Sequence, residues 1–297
     1  LSEEFTVCDT CGCNVTSGNA HLVQGNGKLA RVESGYSAVD VLQGLLHEND
    51  HQAVHNRRHF DRRGILAINL MSSPGSGKTS LLEATQAYLA ARAETGEAPW
   101  RFAVIEGDLE TENDADRLRA RGIRAHQIST GSACHLDAHL VHQALHQMSL
   151  DGIDLVFIEN VGNLVCPASF DLGHHYNVTL LSVTEGDDKP AKYPVMFRGS
   201  DRVLLTKTDL LSVLGDFDPQ RAEDYVRGLA NAAPVSSVSA RSGEGMAEWI
   251  DWLESALTAH RAGLESGQSR QPALQPEGAV LHAGASDAAD APAPSTP

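Results

Sequence analysis

Apolar residues in this chain fall into two alternating patterns: short solid runs, and stripes that repeat every 3.6 residues. The runs are Ile65–Met71, Arg101–Ile105, Asp154–Glu159, Val178–Val183, Arg202–Leu205 and Pro234–Val238. A run of four to eight residues with no polar alternation is covered on both faces, the mark of a strand in a parallel sheet. Between and around the runs lie helical stripes. Val39–Phe60 opens with Val39, Leu42, Leu45 and Leu46 on one face, and Leu81–Ala91 follows the first run. A segment ending at Met148 spaces Leu136, Leu140, Ala144 and Met148 as one buried face, and Met246–His260 carries Trp249, Ile250 and Leu253. Strands alternating with helices predict an α/β fold, a mostly parallel twisted sheet flanked by helices. Beyond Gly263 the pattern stops: no aromatic residue follows Trp252, and Pro is mixed with Ala, Gly and Ala-rich polar sequence. Such a segment buries too little surface to offset its ordering entropy, so 263–297 reads as a disordered tail. Residues 1–38 read as a flexible extension, and 39–262 as the folded domain.

At 297 residues, the chain has room for one large α/β domain with appendages. Its 39 Asp and Glu against 23 Lys and Arg give a net charge of −16. That balance argues against nucleic acid or an anionic membrane as the main partner. No apolar run approaches the ~20 residues that span a bilayer, and no basic start or apolar signal core opens the chain. The expected location is the cytoplasm, with Leu1 in place of Met leaving the true start open. Five Cys, an odd number in a long chain without a secretion signal, point to metal or redox chemistry rather than disulfides.

The first apolar run leads into Ser72-Ser73-Pro74-Gly75-Ser76-Gly77-Lys78-Thr79-Ser80 and then a helix. Free backbone N–H groups in such a turn, together with the positive end of the following helix, make a phosphate site. This is a P-loop whose first Gly is replaced by Ser72. Lys78 can reach the outer phosphates and the Thr79 hydroxyl can ligate Mg2+. Asp108 and Glu159 end the second and third runs, where open parallel sheets bind ligands, and are candidates for the Mg2+ shell and for the catalytic water. Gly162 can offer its amide to a γ-phosphate. Thr206-Lys207-Thr208-Asp209 ends the fifth run: Asp209 can accept from guanine N1–H and its exocyclic amine, neither of which adenine offers. Ser239 and Ala240 follow the sixth run and leave room for a backbone N–H at guanine O6.

The remaining chemistry is metal-competent. Cys8, Cys11 and Cys13 sit within six residues, and Gly12 lets the thiols face one soft or borderline cation. Their fourth ligand has no name in the sequence. Cys134-His135 opens the helix that ends near Met148, and Cys166 lies four residues after Gly162. His47, His51, His55 and His59 recur every fourth position, and His139, His142 and His146 form a second stripe with His135. Both stripes read as solvated helix faces, with weak metal buffering as the alternative; Asn49, Asp50, Gln52, Asn56, Arg57 and Arg58 look like ordinary exposed surface around the first.

Taken in order, Gly75–Thr79, Glu159-Asn160-Val161-Gly162, Thr206–Asp209, Ser239-Ala240-Arg241, the N-terminal cysteines, Gly131–Asp137, Glu159–Pro167 and Glu185–Pro194 resemble the nickel-incorporation GTPases of the HypB/UreG family over about residues 8–257. The resemblance implies a P-loop GTPase that hydrolyses GTP with Mg2+, dimerises on binding it, and delivers nickel to the precursor of the hydrogenase large subunit beside a HypA-like accessory protein. It implies two sites for Ni2+ or Zn2+. One is at Cys8, Cys11 and Cys13; the other is at Cys134, His135 and Cys166, at the dimer interface. Alternatives are a related GTPase serving urease or another enzyme, and a nickel-storage protein using the fold as a scaffold. The adjacent Cys134-His135 argues against the first, and intact Lys78, Thr79 and Asp209 against the second.

Overall fold

The computed structural model describes residues 38–97, 99–108, 113–129 and 135–272. Cys8, Cys11, Cys13, Cys134 and residues 273–297 lie outside the described residues, as do the side chains of 38–46, Asp108 and Cys166. Among the described residues, seven strands form one parallel sheet: β1 (Leu66–Ser72), β2 (Phe102–Asp108), β3 (Arg124–Ser129), β4 (Leu155–Glu159), β5 (Tyr176–Ser182), β6 (Arg202–Thr206) and β7 (Val235–Val238). Their order is β3-β2-β4-β1-β5-β6-β7. The helices are α1 (Ala38–Asp61), α2 (Lys78–Glu94), α3 (Asn113–Ala120), α4 (Ala138–Gln147), α5 (Lys189–Lys192), α6 (Pro194–Arg198), α7 (Pro219–Gly228) and α8 (Met246–Glu265).

All seven residues of β1 are buried because alternate side chains feed two cores. Leu66, Ile68 and Leu70 join Leu81, Leu82, Phe157, Trp249 and Leu253 under α2 and α8. Ile65, just before the strand, and Ala67 join Phe60, Val141, Leu145, Val156 and Ile158 under α1 and α4. β3 shows no apolar run in the sequence because it is an edge strand in which Ile128 alone is buried. The buried face of α4 is Ala138, Val141, Ala144 and Leu145. That corrects the expected face: Leu136 is buried ahead of the helix, while Leu140 and Met148 only border the core.

α1 departs furthest from expectation. Asn49, Asn56 and Arg57, read as exposed surface, are buried. Asn49 donates to Asp171 O at 2.9 Å and accepts from Ala138 N at 2.9 Å. Arg57 pairs with both oxygens of Asp171 at 2.6 and 2.7 Å. The helix lies so close to Gly173 that a Cβ there would stand 2.4 Å from Asn56 Cβ and 2.6 Å from Ala53 O. At the other end of the domain, the boundary expected at residue 262 moves. α8 continues to Glu265, and Arg270 reaches Asp201 at 2.6 Å while lying 4.1 Å over the Tyr176 ring. Residues 263–272 therefore belong with the folded domain rather than with a tail.

His174 is fully buried, with Nε2 donating to Asn177 Oδ1 at 2.8 Å and Nδ1 accepting from Leu172 N at 3.4 Å. A neutral ring uses both nitrogens, so charging it would break a bond as well as bury a cation. Burial lowers its pKa from 6.5 to about 4. Unfolding restores the ordinary value, so the unfolded chain takes up the proton first as pH falls through 6.5. His174 is expected to contribute a loss of about 2 kcal/mol of stability between pH 7 and pH 5. Urea unfolding at the two pH values checks this: His174→Gln, which cannot titrate, should show a correspondingly smaller difference.

Candidate nucleotide and metal site

Parallel strands place all their C-terminal ends on one edge, and the connections out of β1 and β4 leave that edge to opposite sides of the sheet. The P-loop follows β1. Gly75 at φ 73° and Gly77 at φ 97° take backbone conformations that L side chains disfavour, which turns the loop into the N-terminus of α2. Ser72, the departure from the usual Gly, is buried, and its Oγ accepts from Lys78 Nζ at 3.0 Å.

Three loops grip this turn. A Cβ on Gly162 would stand 2.8 Å from Pro74 N and Cα, so only Gly lets the loop after β4 approach. Glu185, after β5, accepts from Ser73 Oγ at 2.5 Å and Ser76 Oγ at 2.6 Å. After β6, Thr206 Oγ1 donates to Ser76 O at 2.7 Å, and Lys207 Nζ donates to Gly75 O at 2.6 Å. Thr206, in place of the commoner Asn, thus ties its loop to the P-loop. Asp209 Oδ1 accepts from Ser239 Oγ at 2.6 Å. Gly77, Ser80, Lys207, Asp209 and Ala240 line one cleft of about 480 Å³, which joins the P-loop to the guanine-reading residues expected from the sequence.

Thr79 Oγ1 donates to Glu159 Oε1 at 2.8 Å. The other Glu159 oxygen is buried with no hydrogen-bond partner among the described residues. Burial raises the Glu159 pKa, with Lys78 opposing the shift. A hydroxyl beside a buried carboxylate with an open oxygen is a donor set that fits Mg2+, which takes oxygen ligands. Asp108 ends the neighbouring β2.

On the metal side, His135 stacks on Phe170 with ring centroids 4.1 Å apart. Phe170 directly follows the one-turn helix Cys166–Ser169, so His135 packs against the residue that closes that turn. Burial lowers the His135 pKa, which favours the neutral ring that ligates metal. The next residue, Leu136, donates its N–H to Asn160 Oδ1 at 3.1 Å, and Asn160 lies between Glu159 and Gly162. Asn160 then passes the contact inward, donating to Asn69 Oδ1 at 3.2 Å. Sequence reasoning assigned no role to Asn69, Asn160, Asn177 or Glu185; for Asn69 the signal it could have used was an Asn inside an otherwise apolar run, and for the two other asparagines an Asn flanking one.

A family model described as the CobW/HypB/UreG nucleotide-binding domain matches residues 66–237, from the first residue of β1 into β7. The chain belongs to the CobW/HypB/UreG family. Within it, this chain is 50% identical over 242 residues to hydrogenase maturation factor HypB of Azotobacter vinelandii, covering 80% of this chain and 77% of that one. It is 47% identical to the protein of the same name from Azotobacter chroococcum, with 86% and 82% covered. The crystal structure of HypB from Helicobacter pylori in complex with nickel shares the fold, with a TM-score of 0.67 and 38% identity, covering 75% of this chain and 99% of that one. The fold expected from the sequence, a P-loop domain on a parallel sheet, is the fold of this family.

The raised pKa of Glu159 carries a signed consequence. Above that pKa the folded, magnesium-free protein holds a buried charge that the unfolded chain would hydrate, so the group destabilises the fold. Glu159→Gln should raise the thermal midpoint at pH 8 without magnesium. At pH 4 the carboxyl is protonated in the folded protein and the difference should vanish. Calorimetry of the two chains at both pH values checks it.

Proposed function

We propose that this chain is a GTP-hydrolysing nickel metallochaperone that delivers nickel to the precursor of the nickel–iron hydrogenase large subunit. Family membership, the names of the similar proteins and the nickel-bound relative support the reading. The observation that carries it for this chain is the bond from Leu136 N to Asn160 Oδ1, which ties the metal-competent segment to the loop gripping the P-loop.

Lys78 and the backbone amides of Gly75–Thr79, with Ser80, hold the phosphates, and Gly162 meets the γ-phosphate. Thr79 and Glu159, with Asp108 at the end of the neighbouring strand, would hold Mg2+, which would supply positive charge to the phosphates. Asp209, Lys207, Thr206, Ser239 and Ala240 receive guanine. Catalysis is mainly positioning and charge stabilisation, so intrinsic turnover is slow, as befits a switch. When the γ-phosphate leaves, Gly162 is released and Asn160 moves with it. The shift reaches His135 through Leu136, and reaches Cys166 along the same loop. Nickel held by Cys134, His135 and Cys166 therefore sees a different ligand set in the two nucleotide states. A second copy of the chain, recruited on GTP binding, completes the set. A HypA-like protein loads it, and Cys8, Cys11 and Cys13 form a separate Ni2+ or Zn2+ site. Among the described residues no helix is long and apolar enough to cross a membrane, in keeping with a cytoplasmic place for this cycle.

Two measurements test the reading. GTP should be hydrolysed far faster than ATP, with Asp209→Asn moving the preference toward xanthine nucleotides; equal turnover of ATP and GTP by the unaltered chain defeats the assignment. Nickel titrations in the GTP and GDP states should differ by about tenfold in affinity, or ~1.4 kcal/mol. One affinity in both states leaves the switch without cargo.

A further inference from the structure

The two histidine stripes, read from the sequence as separate solvated faces, meet at one end across the seam between α1 and α4, while His47 and His51 stay exposed. His59 of α1 lies edge-on to His146 of α4, with ring centroids 6.0 Å apart. His142 and His146, one turn apart on α4, bring their Nε2 atoms to 3.2 Å. Which nitrogens carry protons follows from Asn56. Its amide nitrogen donates to Ala138 O at 2.7 Å and Leu172 O at 3.1 Å, which leaves its Oδ1 as an acceptor facing His142 Nδ1 at 3.1 Å. His142 therefore carries its proton on Nδ1 and presents a bare lone pair on Nε2. Holding a ring by a hydrogen bond to the far nitrogen is how proteins orient a metal-ligating histidine.

The geometry points to a binding site for a borderline divalent cation, Ni2+ or Zn2+, formed by His142 and His146, with the His59 ring of α1 edge-on beside them. Two imidazole nitrogens each ~2.05 Å from one ion stand about 2.9 Å apart at a right angle and about 3.3 Å apart in a tetrahedron. The observed 3.2 Å falls inside that interval. No net proton need leave: His146 now donates its Nε2 proton to His142, and its exposed ring can carry that proton on Nδ1 instead. Burial and neighbouring charges hold His142 and His59 near pKa 4, so both are neutral at pH 7.

Asp61, His175 and His260 form a tighter group, with ligand atoms within 4.8 Å of one another. That group fails on the same test. His175 Nδ1 accepts from Ala67 N at 2.9 Å, so Nε2 keeps its proton for Asp61 at 3.0 Å and the ring has no lone pair to give. Chemistry, rather than compactness, selects the seam.

The site does not depend on the function proposed above, and its test uses zinc alone on the full-length, nucleotide-free protein. Imidazole nitrogen NMR should show His142 protonated on Nδ1 before zinc is added. Zinc should then shift both Nε2 signals and move the His146 proton to Nδ1. In equilibrium dialysis, His146→Ala, at an exposed position, should lose one equivalent of zinc or weaken it by more than the roughly 10–100-fold that losing an outer partner costs. Equal zinc stoichiometry and affinity in the two chains, or unmoved His142 and His146 signals, would overturn the proposal.

Discussion

An asparagine amide sits at the centre of the sheet, and the alignment of three strands depends on satisfying it. Asn69 is fully buried in β1, donating to Asn177 Oδ1 on β5 at 3.0 Å and accepting from Asn160 at the end of β4. In register, Asn69 stands opposite Asn177. Sliding either neighbour by one residue would bury apolar atoms against these amides, leaving donors unmet at roughly 1–3 kcal/mol each. An all-apolar β1 would pack as well but would tolerate more than one alignment. The same network continues through Asn160 to the backbone of Leu136, so what fixes the register also places the loop after β4.

That placement also shapes the P-loop. Gly162 on Pro74, Glu185 on Ser73 and Ser76, and Lys207 on Gly75 come from the ends of three different strands. Each contact uses either the one residue type small enough or the charge that a loop amide or hydroxyl can meet. Sites held on rigid sheet ends lose less order on binding than sites that must fold around their ligand.

The sequence revealed most where burial is symmetrical. β1, β4 and β6 could be read directly because every residue in them is buried. β3 could not, since an edge strand with one buried side chain carries no run. The P-loop and the residues around Asp209 were legible because their chemistry is local, a few residues along one turn. Asn49, Asn56 and Arg57 were misread for the opposite reason: their partners lie 82 to 122 residues away. Without those partners, polar residues on a helix look solvated. The histidine stripes were visible in the sequence, but their meeting depends on how α1 docks across α4.

The serine at position 72 carries a thermodynamic consequence. Its buried hydroxyl accepts from the Lys78 ammonium, a bond that a glycine at the same place could not make. A phosphate that draws Lys78 toward itself has to compete with that hydroxyl, and ligand affinity is reduced by whatever the competing bond is worth. The departure from the usual glycine therefore trades some tightness of capture for easier release.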